Sequence, residues 1–190
     1  MRRGKIDDLD LKIMSLLSEN PRMSVKYIAE KAGSSRPTVT KRLKTLLESG
    51  LIAINVGLNL RSLGFRTAYV GLEIKSMARK KEILDVLTKC PRVLTVLQPS
   101  GEVNMNVYCY GENSTTLDSF IESLREVAYL ERIVYVQHSE PPIHPENLCV
   151  KIHYEKRDVA PCGLICQECE DYKKERCLGC PAVKAYRGLA

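Results

Sequence analysis

Tryptophan is absent from this 190-residue chain, phenylalanine occurs twice and histidine three times. The nine tyrosines form no base-stacking pattern. No uncharged apolar run approaches the ~18 residues that a membrane-spanning helix needs. Asp7 and Asp8 stand where a signal peptide would need its apolar core. The expectation is therefore a cytoplasmic protein with no membrane partner. That setting keeps thiols reduced, so the eight cysteines read as free thiols or metal ligands, not as a disulfide framework. A hydrophobic content of 44% is too high for a disordered chain. The length suits one large domain or two small ones.

Charge is present but localised. The chain carries a net +6. Residues 1–50 hold 11 Lys/Arg and 6 acids, a balance of +5. Residues 51–60 have no charge, 61–138 carry 10 basic and 9 acidic residues, and 139–190 carry 8 of each. A basic N-terminal segment points to an anionic partner, with nucleic acid the leading candidate and a merely basic surface the alternative.

Hydrophobic periodicity predicts three helices over residues 7–49. Leu9, Ile13, Leu16 and Leu17 share one face of the first, which Asp7 or Asp8 can cap and Asn20-Pro21 ends. The second runs from Ser24 through Val25, Ile28 and Ala29 to Gly33. The third follows Ser35, with Pro37 in its first turn and Val39, Leu43, Leu46 and Leu47 as its buried stripe. A short Gly-containing turn before a basic helix is what a helix-turn-helix requires; a plain three-helix bundle is the alternative. Arg36, Thr38, Thr40 and Lys41 are the candidates for reading DNA, with Ser35 and Lys44 on phosphates.

Leu51–Val56 reads as a short β-type run. Beyond it, strands at 67–75, 92–98, 103–110 and 131–137 alternate with helices at 79–89 and 115–127, the last ending at Val127. This β-α-β-β-α-β order is that of a ferredoxin-like sandwich, which carries helices on one face only. The other face, with Tyr69, Tyr108 and Tyr135, is expected to pack against a second copy. The segment Glu140-Pro-Pro-Ile-His-Pro145 favours extended backbone, and 148–154 could add a strand. The expected class is thus α+β. A three-helix winged helix-turn-helix (1–55) and a linker (56–66) precede a ferredoxin-like domain (67–140). A linker or extra strand (141–160) and a cysteine-rich tail (161–190) follow.

Residues 6–52, with Ile6-Asp-Asp-Leu-Asp-Leu-Lys-Ile-Met14, Tyr27-Ile-Ala-Glu-Lys31 and Glu48-Ser-Gly-Leu-Ile52, resemble the DNA-binding module of the leucine-responsive regulatory protein (Lrp/AsnC) family. Residues 67–138 resemble its effector and oligomerisation domain. The resemblance implies a prokaryotic transcription regulator that binds double-stranded DNA as a homodimer or ring of dimers, with an amino acid or other small molecule as effector. It places the effector near Gly101, Glu102 and Asn104. The family often has Asp where Asn104 stands, so an amine ligand would lose a charge partner worth ~1.5–3 kcal/mol. The same fold also implies a rival, an enzyme of tetrapyrrole metabolism of the sirohaem decarboxylase type. His138, His144 and His153 all fall outside the predicted β-α-β-β-α-β core, which disfavours it.

Five cysteines crowd the tail: Cys162, Cys166, Cys169, Cys177 and Cys180. Cys-x-x-Cys turns aim paired thiolates at one metal, and Cys166/Cys169 with Cys177/Cys180 is the simplest four-thiolate set. Zinc is the first expectation and an iron–sulfur cluster the second, since either takes four thiolates and leaves one over. The tail resembles small cysteine-rich domains that open Cys-Gly-Leu-x-Cys-x-x-Cys, a likeness that implies metal binding. Metal or redox state at the tail is expected to modulate DNA binding or assembly. Cys90, Cys109 and Cys149 are read as core or surface residues, with Cys149 a possible sixth ligand.

Overall fold

The structure, a computed structural model, describes residues 6–127 and 132–188. Arg2, Arg3, Lys5, residue 131 and the Val127 side chain lie outside the described residues. The chain divides into two units, Met1–Asn55 and Val56–Ala190.

The first unit holds α1 (Asp8–Glu19), α2 (Val25–Ala32) and α3 (Arg36–Glu48). Asp7 and Asp10 form a reciprocal capping box, each carboxylate accepting from the other's backbone N–H. Ser24 caps α2, and Gly33 ends it in the left-handed region at φ 66°. Ser35 caps α3. Ile13, Ile28, Val39 and Leu46 close the core between the helices. Each such side chain contributes roughly 1.5–3 kcal/mol on burial. Leu47, expected in the buried stripe, is exposed instead. It lies one residue beyond Leu46, about 100° around the helix, and so turns off the packed face.

Leu51–Val56 forms no strand. Ile52 folds back onto the three-helix core, while Leu51, Ile54 and Val56 stay exposed. An apolar β-prone run becomes a strand only where a partner can accept its backbone bonds. The first strand comes just after: β1 (Gly57–Leu58) pairs antiparallel with β6 (Leu148–Cys149). Segment 56–66, expected as a linker, therefore belongs to the second unit, where Leu60 and Phe65 are buried with Tyr110.

The rest of the second unit follows the predicted order. β2 (Arg66–Glu73), α4 (Met77–Lys89), β3 (Val93–Leu97), β4 (Met105–Gly111), α5 (Ser114–Val127) and β5 (Arg132–Ser139) make a four-stranded sheet ordered β3-β4-β2-β5, antiparallel throughout. Ala68, Val70 and Leu72 alternate inward from β2 and meet Ile83 and Leu87 of α4 and Leu117 and Ile121 of α5. On the opposite face Tyr69 stacks on Tyr108 at 4.3 Å. Gly71 is required beside them: a Cβ there would overlap the Tyr135 ring. β5 runs to Ser139 and so takes in His138, which sits 3.4 Å from Asp118. The tail adds a short 3-10 turn (Cys166–Glu168) and α6 (Glu170–Lys173).

Candidate nucleic-acid interface and cysteine pocket

α3 presents its N-terminal half to solvent. Ser35, Arg36, Thr38, Thr40, Lys41 and Lys44 are all exposed. The Ser35 hydroxyl accepts from the Thr38 N–H at 3.3 Å and meets the Thr38 hydroxyl at 2.7 Å, so the cap also orients Thr38. Among the described residues no ion pair engages Arg36 or Lys41. Lys44 is shared with Glu48 at 3.7 Å. The neighbouring cation, Arg42, does a different job. It reaches Asp7 at 2.7 Å and Asp10 at 3.2 Å, joining α3 to the N-terminus of α1. The Asp10 N–H bond and Arg42 hold the Asp7 carboxyl below its ordinary value, against the opposing effect of desolvation. The four basic residues of α3 thus separate: Arg42 ties the helix to α1, Lys44 is shared with Glu48, and Arg36 and Lys41 enter no ion pair among the described residues.

At the β3–β4 turn, Gly101 takes φ 125°. The Asn104 side chain accepts from the Ile74 N–H at 3.1 Å and donates to the Ile74 carbonyl at 2.8 Å. Its amide therefore fastens this turn to the end of β2. Glu102 is exposed and pairs with Arg132 at 3.0 Å.

Within the second unit the tail packs against the ferredoxin-like fold. Arg92 and Glu112 form a buried ion pair at 2.6 Å. The same guanidinium donates to the Gly179 carbonyl, also at 2.6 Å, between the last two cysteines. Tyr186 donates to the other Glu112 oxygen, and the Thr116 hydroxyl accepts from the Leu178 N–H at 3.3 Å. Burial opposes the Arg92 charge, and Glu112 outweighs it, leaving the guanidinium pKa raised. Nothing in the spacing of the sequence marked Arg92 or Glu112.

Cys162, Cys166, Cys169, Cys177 and Cys180 all line one pocket between the tail and the helical face, and Cys90, from the end of α4, lines it too. Among the described residues, no three histidine, cysteine or carboxylate side chains are placed to hold a metal ion. The Cys166 sulfur accepts from the Cys180 N–H at 3.3 Å, and the Cys177 sulfur from the Gly179 N–H at 3.4 Å. Burial pushes the thiol pKa of Cys180 to about 12 and that of Cys90 to about 11, and raises those of Cys166 and Cys177. Cys149 is exposed on β6, and Cys109 is buried in the main core.

Residues 6–53 match the family model of winged helix-turn-helix DNA-binding domains. A Pyrococcus furiosus protein described as an uncharacterized HTH-type transcriptional regulator is 34% identical over 131 residues, covering 67% of this chain and 87% of that protein. The HTH-type transcriptional regulator LrpA of Bacillus subtilis is 26% identical over 125 residues, 65% of this chain and 92% of its own length. Among solved structures, an AsnC family transcriptional regulator from Agrobacterium tumefaciens superposes with TM-score 0.62 at 22% identity, covering 72% of this chain and 92% of that one. A Neisseria meningitidis transcriptional regulator in complex with L-Met gives 0.58 at 21% identity, covering 70% and 87%. These relatives are regulators, and the tetrapyrrole-enzyme alternative finds no support in them. Among the described residues no helix is long and apolar enough to cross a membrane. With its helix-turn-helix and ferredoxin-like units in this order, the chain belongs to the Lrp/AsnC family of helix-turn-helix transcription regulators.

Proposed function

We propose that the chain regulates transcription by inserting α3 into the major groove of double-stranded DNA. Arg36, Thr38, Thr40 and Lys41 face the base edges, and Ser35 and Lys44 the phosphates. The observation that carries this reading is the exposed N-terminal half of α3, whose cations Arg36 and Lys41 enter no ion pair among the described residues. A free guanidinium can offer a guanine two parallel N–H donors, and a free ammonium a phosphate its full charge. The protein acts as a homodimer or ring of dimers. Tyr69 and Tyr135 are partly exposed on the sheet face that carries no helices, which a second copy would cover. Two-fold pairing would set two α3 helices for half-sites one helical turn apart.

The effector site of this reading is the β3–β4 turn. With the Asn104 amide engaged by Ile74, the exposed pair Glu102 and Arg132 offers a carboxylate to an amino acid's ammonium and a guanidinium to its carboxylate. The L-Met complex of the Neisseria structure supports an amino acid as ligand class. Metal loading of the tail, docked on the same unit, modulates DNA binding or assembly.

A salt titration of binding to genomic fragments tests the core of the reading. Affinity should fall steeply and linearly on a log–log plot, because each neutralised phosphate releases counterion. Arg36→Ala and Lys41→Ala that leave affinity untouched would remove α3 from the interface.

A further inference from the structure

The positive charge of the ferredoxin-like unit is concentrated in one place. Of the 10 Lys/Arg in residues 61–138, four fall within seven residues: Lys75, Arg79, Lys80 and Lys81. The other six stand against 9 acids, so the near-neutral total conceals a basic patch on an otherwise acidic unit. The patch opens α4. Ser76 caps that helix by accepting from the Arg79 N–H at 3.4 Å. Lys75, Arg79 and Lys81 are exposed, and Lys80 is half-buried. The position is unfavourable for the helix itself. An N-terminus is the positive end of the helix dipole, where acids stabilise and cations do the opposite. Yet the first turn of α4 holds no acid, and Glu82 is the only acid between residues 74 and 84. The acids on either side are engaged elsewhere: Glu73 with Arg132 at 3.7 Å and Asp85 with Lys89 at 2.5 Å. Among the described residues no ion pair or hydrogen bond engages the side chains of Lys75, Lys80 or Lys81. Lysines on other helices do find acids a turn away, as Lys12 finds Asp8 and Lys173 finds Glu170. The lysines of the α4 patch share the unpaired state of Arg36 and Lys41 on α3.

We propose that this patch is a second DNA contact, in which the ferredoxin-like unit holds the phosphate backbone of the duplex that α3 reads. It rests on the DNA-binding reading of α3. The side chains select backbone over bases. Three of the four cations are lysines, compact point charges suited to phosphate. Residues 74–82 contain no Asn or Gln to read a base edge and no aromatic ring on which a single strand could stack. Contacts of this kind strengthen binding to every sequence alike and leave the choice of site to α3. An anionic backbone also supplies what the start of α4 lacks, a negative charge at its positive end.

The test titrates salt against binding of the full chain and its Lys75→Gln/Lys80→Gln/Lys81→Gln variant to one genomic fragment. Each phosphate contact contributes about 0.9 to the log–log slope, so the variant should lose about 2–3. Between 50 and 200 mM salt the advantage of the unaltered chain should therefore shrink by about 40-fold. The control is Lys173→Gln/Lys174→Gln/Lys184→Gln, which removes the same charge from lysines that are ion-paired and should leave the slope unchanged. Lys81→Gln alone should lower the slope by about 1, and it carries the test if calorimetry shows the triple variant melting early. An unchanged slope in the α4 variants, with Arg36→Ala still weakening binding, overturns this contact and leaves α3 in place. An equal fall in the tail control assigns the effect to net charge and overturns it too. A slope near zero for the unaltered chain removes the α3 reading and this contact together.

Discussion

Replacing Arg92 with methionine should destabilise the Val56–Ala190 unit by about 3 kcal/mol. The side chain is 4% exposed and its partner Glu112 6%, so neither charge can return to water without opening the fold. Breaking one side of a buried pair typically costs about 3–5 kcal/mol, because the remaining charge loses its compensation. Two features shift the estimate. Glu112 keeps the Tyr186 hydroxyl on its other oxygen and can take up a proton, which favours the low end. The Gly179 carbonyl, also buried, loses its donor, which adds about 1–3 kcal/mol unless water enters. For a unit of this size each kcal/mol moves the midpoint by about 3–4 °C, so the thermal transition should fall by roughly 10 °C. Calorimetry on the full chain reads it, with the transition of the helix-turn-helix unit as internal reference. Glu112→Gln and the double variant complete a cycle, in which the double should cost less than the sum of the singles. A shift below about 2 °C for Arg92→Met, or strict additivity, would refute the claim that this pair holds the tail in place.

At the DNA surface, Arg36→Ala should cost about 1–3 kcal/mol and relax specificity at one base position, whereas Lys44→Ala should weaken all sequences alike and lower the salt slope by about 1, both read by competition binding. Ser35→Ala removes the cap of α3 and should cost about 1 kcal/mol in denaturant unfolding; Ser35→Asp should restore it. The helix-turn-helix unit should lose stability in acid: the Asp7 pKa is depressed below its ordinary 3.8, so its contribution is full above that pH and disappears as pH falls through the folded value. Asp7→Asn should flatten that limb of an acid titration followed by circular dichroism. Gly71→Ala should push the Tyr135 ring from its place over β2 and weaken self-association in sedimentation velocity, while leaving α4 and α5 packed on the other face.

The helices and strands were legible because each carries a local signal. Ser24, Ser35 and Gly33 mark helix ends by backbone chemistry that acts within a few residues. The inward Ala68, Val70 and Leu72 of β2 follow the period of two that a half-buried strand imposes. Leu51–Val56 misled for the complementary reason. Its composition is β-like, but pairing is a tertiary event, and the strand partner Leu148–Cys149 meets Gly57–Leu58 instead. The basic count of the first 50 residues pointed to an anion-binding module without saying which cations face outward. That depends on where the α1 capping box lies: Arg42 falls within reach of Asp7 and Asp10, while Lys41, one residue earlier, points to solvent.

The tail shows the limit of spacing arguments most clearly. Two Cys-x-x-Cys turns announce paired thiols, and spacing alone made them a small module needing only its metal. The contacts that place the module have no spacing at all. Arg92 lies 87 residues before Gly179, Glu112 74 before Tyr186, and Thr116 62 before Leu178. Each is a common polar residue in a nearly neutral stretch, where charge counting gives it no weight. Cys90 reads alone as a core thiol at the end of a helix. It becomes part of a six-sulfur pocket only because α4 ends where the tail docks. A cysteine cluster can be local in sequence while the wall it faces comes from residues far earlier in the chain. For this chain the contacts of Arg92, Glu112 and Thr116 seat the tail within the Val56–Ala190 unit, and that seating alone brings Cys90 and the five tail cysteines to one pocket.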